Sequence, residues 1–377
     1  NLKITGYLQF QYQKADSMGI NSMAGGNFSK FSDSRFMTRR GRIKFAYSQG
    51  LAEYVLQFDA TESGFAIKDA YLALKDPYLN AFSFTGGVFN RPFGFEIAYS
   101  SSKRESPERA RIIQTLFPKE RDLGGMVSFQ MPKTSPWNFL RLDAGLFSGN
   151  GTNAETDSRK DFIGHLTASK SIANDKIKFG LGASLYNGFV FQPTANVYEM
   201  AGTSFVAKSG VVANSYANRQ YWGLDGQLTV ESALGYTTLR GEYVAGKQPG
   251  TSSSSASPTA LPTADTYIRN VAGGYVYFIQ TLGQSAHSIV VKYDLYDPNT
   301  KVSGNEIGMA VPAGAKATGA GDLKYTTWGL GWLWAVTPVV KFTAYYDIVK
   351  NETSNNVKSF SKDLKDNVLT LRLQYRF

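Results

Sequence analysis

Val368-Leu369-Thr370-Leu371-Arg372-Leu373-Gln374-Tyr375-Arg376-Phe377 reads apolar and polar by turns. Leu369, Leu371, Leu373, Tyr375 and Phe377 share one face; Val368, Thr370, Arg372, Gln374 and Arg376 share the other. Successive side chains of a strand point to opposite sides, so this period of two marks a strand with one greasy and one wet face. The same period opens the chain. There Leu2, Ile4, Leu8, Phe10 and Tyr12 alternate with Lys3, Thr5, Gln9, Gln11 and Gln13. It returns at Phe342, Ala344, Tyr346 and Ile348, and over 140–146, 177–185, 224–230 and 289–295.

Sixteen such segments are expected, over 2–14, 33–48, 52–61, 65–76, 82–91, 121–131, 138–148, 159–172, 176–187, 219–232, 235–246, 266–281, 286–296, 323–336, 338–349 and 364–377. Many reach ten residues, enough to cross a bilayer as a tilted strand. Their connections alternate in length. Short turns fall near 49–51, 77–81, 132–137, 173–175, 233–234, 282–285 and at Thr337. Long segments fall near 15–32, 92–120, 149–158, 188–218, 247–265, 297–322 and 350–363, with 62–64 short out of turn. In hydrocarbon every backbone N–H and C=O must be paired, and strands achieve that only in a closed sheet. The expectation is an all-β transmembrane antiparallel β-barrel in a bacterial outer membrane, with short periplasmic turns and long extracellular loops. Sixteen strands leave room for an aqueous lumen. The strand pattern resumes after every long segment, so 1–377 reads as one barrel domain.

Composition agrees. The chain holds 37 Gly, 22 Tyr and 25 Phe, yet its mean hydropathy is −0.25, as strands with only one apolar face require. It has no Cys, which excludes disulfides, thiolate metal sites and a Cys nucleophile. Its two His, His165 and His287, are too few for a metal cluster, and no Gly-rich phosphate loop opens a helix. No enzyme, metal or cofactor is expected. Asn1 begins directly in a strand pattern, which fits a mature exported form. The net charge of +10 draws anions. The densest basic run, Arg39-Arg40-Gly41-Arg42, lies in a strand pattern, so no nucleic-acid partner is expected.

Parity places Thr38, Arg40, Arg42 and Lys44 on a lumen face, with Asp59 and Glu53 of the next strand as pairing partners. An Arg facing lipid near the midplane would cost roughly 2–4 kcal/mol. Arg141, Lys176, Lys178, Arg240, Lys292, Arg372 and Arg376 fall on lumen faces by the same rule, mixed with Asp69, Asp143, Asp225, Glu231, Glu242, Asp294 and Asp347. Segment 92–121 carries Lys103, Arg104, Arg109, Arg111, Lys119 and Arg121 against Glu96, Glu105, Glu108 and Glu120, with apolar Ile112, Ile113, Leu116 and Phe117. It must bury the apolar part, and folding into the pore does so. Ser106-Pro107 reads as its helix start. Rings of Arg and Lys select anions and phosphate. The expected anion path is therefore Arg40, Arg42, Lys44, Lys103, Arg104, Arg109, Arg111, Arg240, Arg372 and Arg376. Ser-rich 251–258 and Gly/Ala-rich 312–321 read as exposed mobile loops. Tyr221, Trp222, Trp328, Trp332 and Trp334 suit an interfacial girdle.

Gly87-Val88-Phe89-Asn90-Arg91-Pro92-Phe93-Gly94-Phe95-Glu96 resembles the strand-to-third-loop segment of the phosphate-selective porin O and P family. Ser100-Ser101, Glu108-Arg109 and Arg121-Asp122-Leu123-Gly124 continue the likeness, and Arg39-Arg40-Gly41-Arg42-Ile43 is similar to that family's Arg-rich early strand. The resemblance implies a sixteen-stranded homotrimeric porin whose third loop folds into the pore and whose arginines conduct phosphate. Arg40, Arg42 and Arg109 are the positions carried over. Asn90 stands where phosphate-selective members are expected to have Lys, and the later strands have only isolated Arg240 and Arg269. Gln374-Tyr375-Arg376-Phe377 resembles the aromatic-ended signal read by the barrel assembly machinery. Three functions stay open: an anion-preferring porin, a non-selective or sugar porin, and an interaction protein using the long loops. Outer-membrane lipid and small anions such as phosphate are the expected partners.

Overall fold

The computed structural model describes residues 1–377. Sixteen long strands form the wall: β1 (Leu2–Ala15), β2 (Ser34–Gln49), β3 (Ala52–Thr61), β4 (Gly64–Lys75), β5 (Phe82–Asn90), β6 (Arg121–Gln130), β7 (Leu140–Phe147), β8 (Asp161–Ile172), β9 (Ile177–Gln192), β10 (Ser215–Ser232), β11 (Gly235–Gly250), β12 (Thr266–Thr281), β13 (His287–Asp297), β14 (Tyr325–Ala335), β15 (Val340–Asn351) and β16 (Val368–Arg376). Each pairs antiparallel with its sequence neighbours, and β1 pairs with both β2 and β16, which closes the barrel. Three short strands at Val197–Ala201, Ser204–Ala207 and Lys316–Ala317 join the sheet at the long-loop rim. Phe377 exchanges both backbone hydrogen bonds with Gly6 at the seam, each 3.0 Å.

The period of two decides what faces where. On β1, Gln9, Gln11 and Gln13 are buried inside while Leu2, Ile4, Leu8 and Phe10 are exposed outside. On β16, Thr370, Arg372 and Gln374 point in, and Leu373 and Tyr375 point out. Trp222, Trp328, Trp332 and Trp334 are exposed on the outer face, but Tyr221 is buried inside. Neighbours in a strand cannot share a face, so Tyr221 leaves the expected girdle. Its hydroxyl bonds Gln248 Oε1.

Two bulges break the alternation. Gln9 pairs with Arg40, but Phe10 pairs with Thr38, so Arg39 is the extra residue. Gln57 pairs with Asp69, but Phe58 pairs with Ile67, so Lys68 is extra. A bulged residue flips parity beyond it. Thr38, expected in the lumen, therefore sits opposite outward-facing Phe10.

The apolar core lies inside the barrel, on one side only. The third loop, residues 91–120, folds inward after β5. Its Phe93, Ile97, Ile112, Ile113, Leu116 and Phe117 pack on Tyr186, Tyr221, Val244, Val271, Tyr275 and Tyr296 of β9 to β13. Burying each large apolar side chain contributes roughly 1.5–3 kcal/mol. That gain holds the loop across the lumen.

Candidate functional site: a basic gap beside the third loop

The loop turns sharply at Gly94, whose φ is +60°. The N–H groups of Phe95 and Glu96 donate to Glu242 Oε2 on β11, at 3.2 and 3.1 Å, and Gly94 N–H donates to Ser184 on β9 at 2.9 Å. A single helix follows, α1 (Arg111–Leu116). It starts later than Ser106-Pro107, the start expected from sequence. Ser106 instead bonds Glu108 O and Tyr277 Oη, both at 2.6 Å. The Arg111 N–H donates to Asp294 of β13 at 3.0 Å, so the wall supplies the acceptor that a cap would provide.

Ser-rich 251–258 is exposed only in part. Ser255 and Ser257 are buried. Ser257 donates to Leu116 O at 2.7 Å, and Arg269 donates to the carbonyls of Thr251 and Ser252 at 2.6 and 3.0 Å. Buried carbonyls need donors, and a guanidinium supplies five. This segment closes over α1 from the long-loop rim.

On the β7–β16 side the upper lumen is dry. Side-chain exposure there is 2% for Arg219 and 0% for Arg269. Against β2–β4 it rises to 34% for Arg39, 20% for Lys68 and 17% for Glu120, while Arg40, Arg42, Arg109 and Arg121 behind them stay at 4–6%. Water reaches the loop along that wall, beside the short hairpin between β3 and β4.

Six cations line this gap. Arg39 grips Glu108 with two bonds, 2.7 and 2.8 Å, and Arg40 reaches the same carboxylate at 3.1 Å. Arg42 pairs with Asp59 at 3.2 Å, and Lys68 lies 3.8 Å from it. Arg121 bridges Asp69 at 2.9 Å and Glu120 at 3.0 Å. Arg109 pairs with Glu120 and donates to the Glu96 carbonyl at 2.9 Å. Four carboxylates thus face six cations. Burial pushes Glu108 and Glu120 toward the neutral form, but the facing arginines win and hold both below the usual carboxylate range. Burial lowers Arg109 to about 10, which leaves it charged.

Below the loop a cavity of about 490 Å³ opens toward the short-turn rim. Seven cations line it: Lys3, Arg42, Lys44, Lys103, Arg109, Arg121 and Arg376. Asp69 is the one carboxylate side chain among its lining residues. Lys3, Lys44, Lys103 and Arg376 have no carboxylate within ion-pair distance.

Of the residues expected in the path, Arg40, Arg42 and Arg109 meet at the gap, and Lys44, Lys103 and Arg376 lie beneath it. Four lie elsewhere. Arg104 is buried against the carbonyls of Ser106 and Pro107. Arg111 stacks on Tyr325 at 3.6 Å, on the far wall. Arg240 pairs with Glu105 at 2.8 Å. Arg372 is held by Gln11 at 2.6 Å and Pro107 O at 3.3 Å, and its guanidinium stands 3.7 Å from Glu108, behind Arg39 and Arg40. The expected path left out Arg39 and Lys68, and it held Arg121 only as a third-loop cation and Lys3 only as a polar-face residue. Arg39 and Lys68 did leave a signal, since each is a charge next to another charge in a strand that allows only one face to be polar.

The profile of the family described as Phosphate-selective porin O and P matches residues 37–377. Among solved structures, Pseudomonas putida OprB at high pH superposes with a TM-score of 0.60 at 11% identity, over 100% of this chain and 94% of that one. The anion-selective porin from Comamonas acidovorans gives 0.56 at 12%, over 100% and 99%. In-vitro folded OmpT of Vibrio cholerae, in its trimer form, gives 0.57 at 9%, over 100% and 99%. No curated protein matches the chain. The closed sixteen-strand wall, the inward third loop and the family match agree: the chain belongs to the phosphate-selective porin O and P family and is a channel of the bacterial outer membrane.

Proposed function

We propose that this channel passes small solutes by passive diffusion and prefers anions, phosphate among them. The supporting observation is the charge of the water-reaching route. Six cations meet four carboxylates at the gap, and seven cations meet one carboxylate side chain in the cavity below. An anion descending from the gap finds four unpaired cations, Lys3, Lys44, Lys103 and Arg376. Guanidinium pairs hold an oxyanion in two-pronged geometry, and low-dielectric walls strengthen the field. Arg40, Arg42 and Arg109 are the positions shared with the family pattern.

A second reading has its own support. Arg40, Arg42, Arg109 and Arg121 at the gap are each paired with a carboxylate, which suits a weakly selective general porin. Reversal potential across a planar bilayer under a salt gradient separates the two. A chloride-directed potential, with phosphate blocking the chloride current, supports the first. A potential near zero without block supports the second.

Assembly as a homotrimer in outer-membrane lipid is part of the proposal. It rests on the family and on the trimer form of Vibrio cholerae OmpT. A monomer mass in mild detergent would count against it.

A further inference from the structure

The gap is bounded by the β2–β4 wall on one side and the third loop on the other. Its width therefore depends on what holds the loop from behind. At the loop's entry turn that support is concentrated at Glu242, on β11 across the barrel. One oxygen, Oε2, accepts the N–H groups of Phe95 and Glu96, at 3.2 and 3.1 Å, and the Tyr275 hydroxyl at 3.0 Å. The residue is 4% exposed. The other oxygen, Oε1, has no hydrogen-bond partner. It lies where a Cβ on residue 94 would go, so any side chain at Gly94 would collide with it. Gly94 is thus required twice, by its positive φ and by the carboxylate against it.

Downstream of this turn, Glu96 fastens the loop to itself. Its Oε2 accepts the Ala110 N–H at 2.8 Å, and its backbone carbonyl accepts Arg109 Nε at 2.9 Å. Arg109 is one of the six gap cations. A connected path of bonds therefore runs from Glu242 through Glu96 to Arg109, and Arg109 pairs with Glu120 at the gap.

We propose that Glu242 is a positioning residue for the constriction: it touches no solute in the gap, yet it sets the conducting state by fixing the third loop at Gly94-Phe95-Glu96. The role is that of an acceptor, because Oε2 makes every bond and Oε1 makes none. An amide can take over that role. This inference rests on the gap as the conducting route and is independent of which ion passes.

Single-channel recordings in a planar bilayer test it. In Glu242→Ala, two buried N–H groups lose their acceptor. Transitions between conductance levels should rise about tenfold, the factor matching the net worth of roughly one buried hydrogen bond. Glu242→Gln keeps an acceptor at the Oε2 position and should record like the unmodified channel. Gly94→Ala should record like Glu242→Ala while leaving every wall residue in place. It also covers the case in which Glu242→Ala does not fold. Heat-induced unfolding of the barrel is followed in parallel. If Glu242→Ala and Gly94→Ala lower the unfolding temperature but record unchanged, Glu242 is a stabilising residue and the proposal is overturned. Noise in Glu242→Gln as large as in Glu242→Ala overturns the acceptor role. Selectivity is read separately from reversal potential. A cation-preferring channel with noisy Glu242→Ala and quiet Glu242→Gln would sink the anion reading and leave this one standing.

Discussion

The two walls that face the third loop obey the same alternation and use their charges in opposite ways. On β2–β4, Arg39 and Lys68 meet water at the gap, with Arg40 and Arg42 buried just behind them. On β11–β13, Glu242 and Asp294 lie against the loop and accept its backbone N–H groups. The basic wall keeps its distance and can act on a solute. The acidic wall has closed up and acts on the loop. The difference comes from the loop's own sequence. Its apolar Ile112, Ile113, Leu116 and Phe117 need a dry surface, and the aromatic faces of β9–β13 provide one. Its Glu108 and Glu120 turn the other way, toward arginine.

The strongest way to break this comparison is to reverse a charge on the wet wall. Arg42→Glu places a carboxylate beside Asp59. At an effective dielectric of about 20, one such contact changes the local energy by about 4 kcal/mol. Chloride preference should fall several-fold in reversal potential, or invert. An unchanged potential would place Arg42 off the route. Arg109→Glu should move selectivity the same way but less, because Arg109 already shares Glu120 with Arg121.

On the dry wall the expected effect is on stability instead. Asp294→Leu strands the Arg111 N–H and leaves Lys292, 3.1 Å away, without its partner. Breaking a buried pair from one side costs roughly 3–5 kcal/mol. The unfolding temperature should drop while the sign of selectivity stays the same. A changed sign would show that the acidic wall also faces the solute.

Acidity separates the regions more gently. Glu108 and Glu120 are held below their ordinary value of 4.5. Their pairs are therefore whole above that value and are lost only as pH falls through the depressed ones. Selectivity should stay flat between about pH 7 and pH 5. The smallest effect is expected at Asp366, in the loop between β15 and β16. Burial raises it to about 6, against the pull of Arg111. A raised carboxylate is penalised above that pH and relieved below it. Amide protection in 352–367, taken relative to the intrinsic exchange rate at each pH, should be higher at about pH 5 than at about pH 7.5, and Asp366→Asn should remove that difference.

Much of the fold was legible because a strand's period is short and its errors are local. All sixteen wall strands lie where the alternation placed them, and 62–63 is the short connection on the long-loop rim. The inward third loop was legible too, since Ile112, Ile113, Leu116 and Phe117 had no other surface to bury against. Reading failed where parity is not local. Arg39 and Lys68 enter the lumen through bulges, and Thr38 leaves it for the same reason. Ser-rich 251–258 looked exposed because its composition makes no core, but Arg269, remote from it in the strand pattern, pins its carbonyls.

The sequence by itself determined the barrel, its two rims, its basic excess and the residues that had to be inside. Those follow from alternation and from the cost of an unpaired backbone in lipid. Only the tertiary structure decided which inside charges meet water. That depends on where a thirty-residue loop, 91–120, comes to rest between two walls. It rests against the one offering apolar surface and free acceptors, and so leaves the arginines of the other to line the gap.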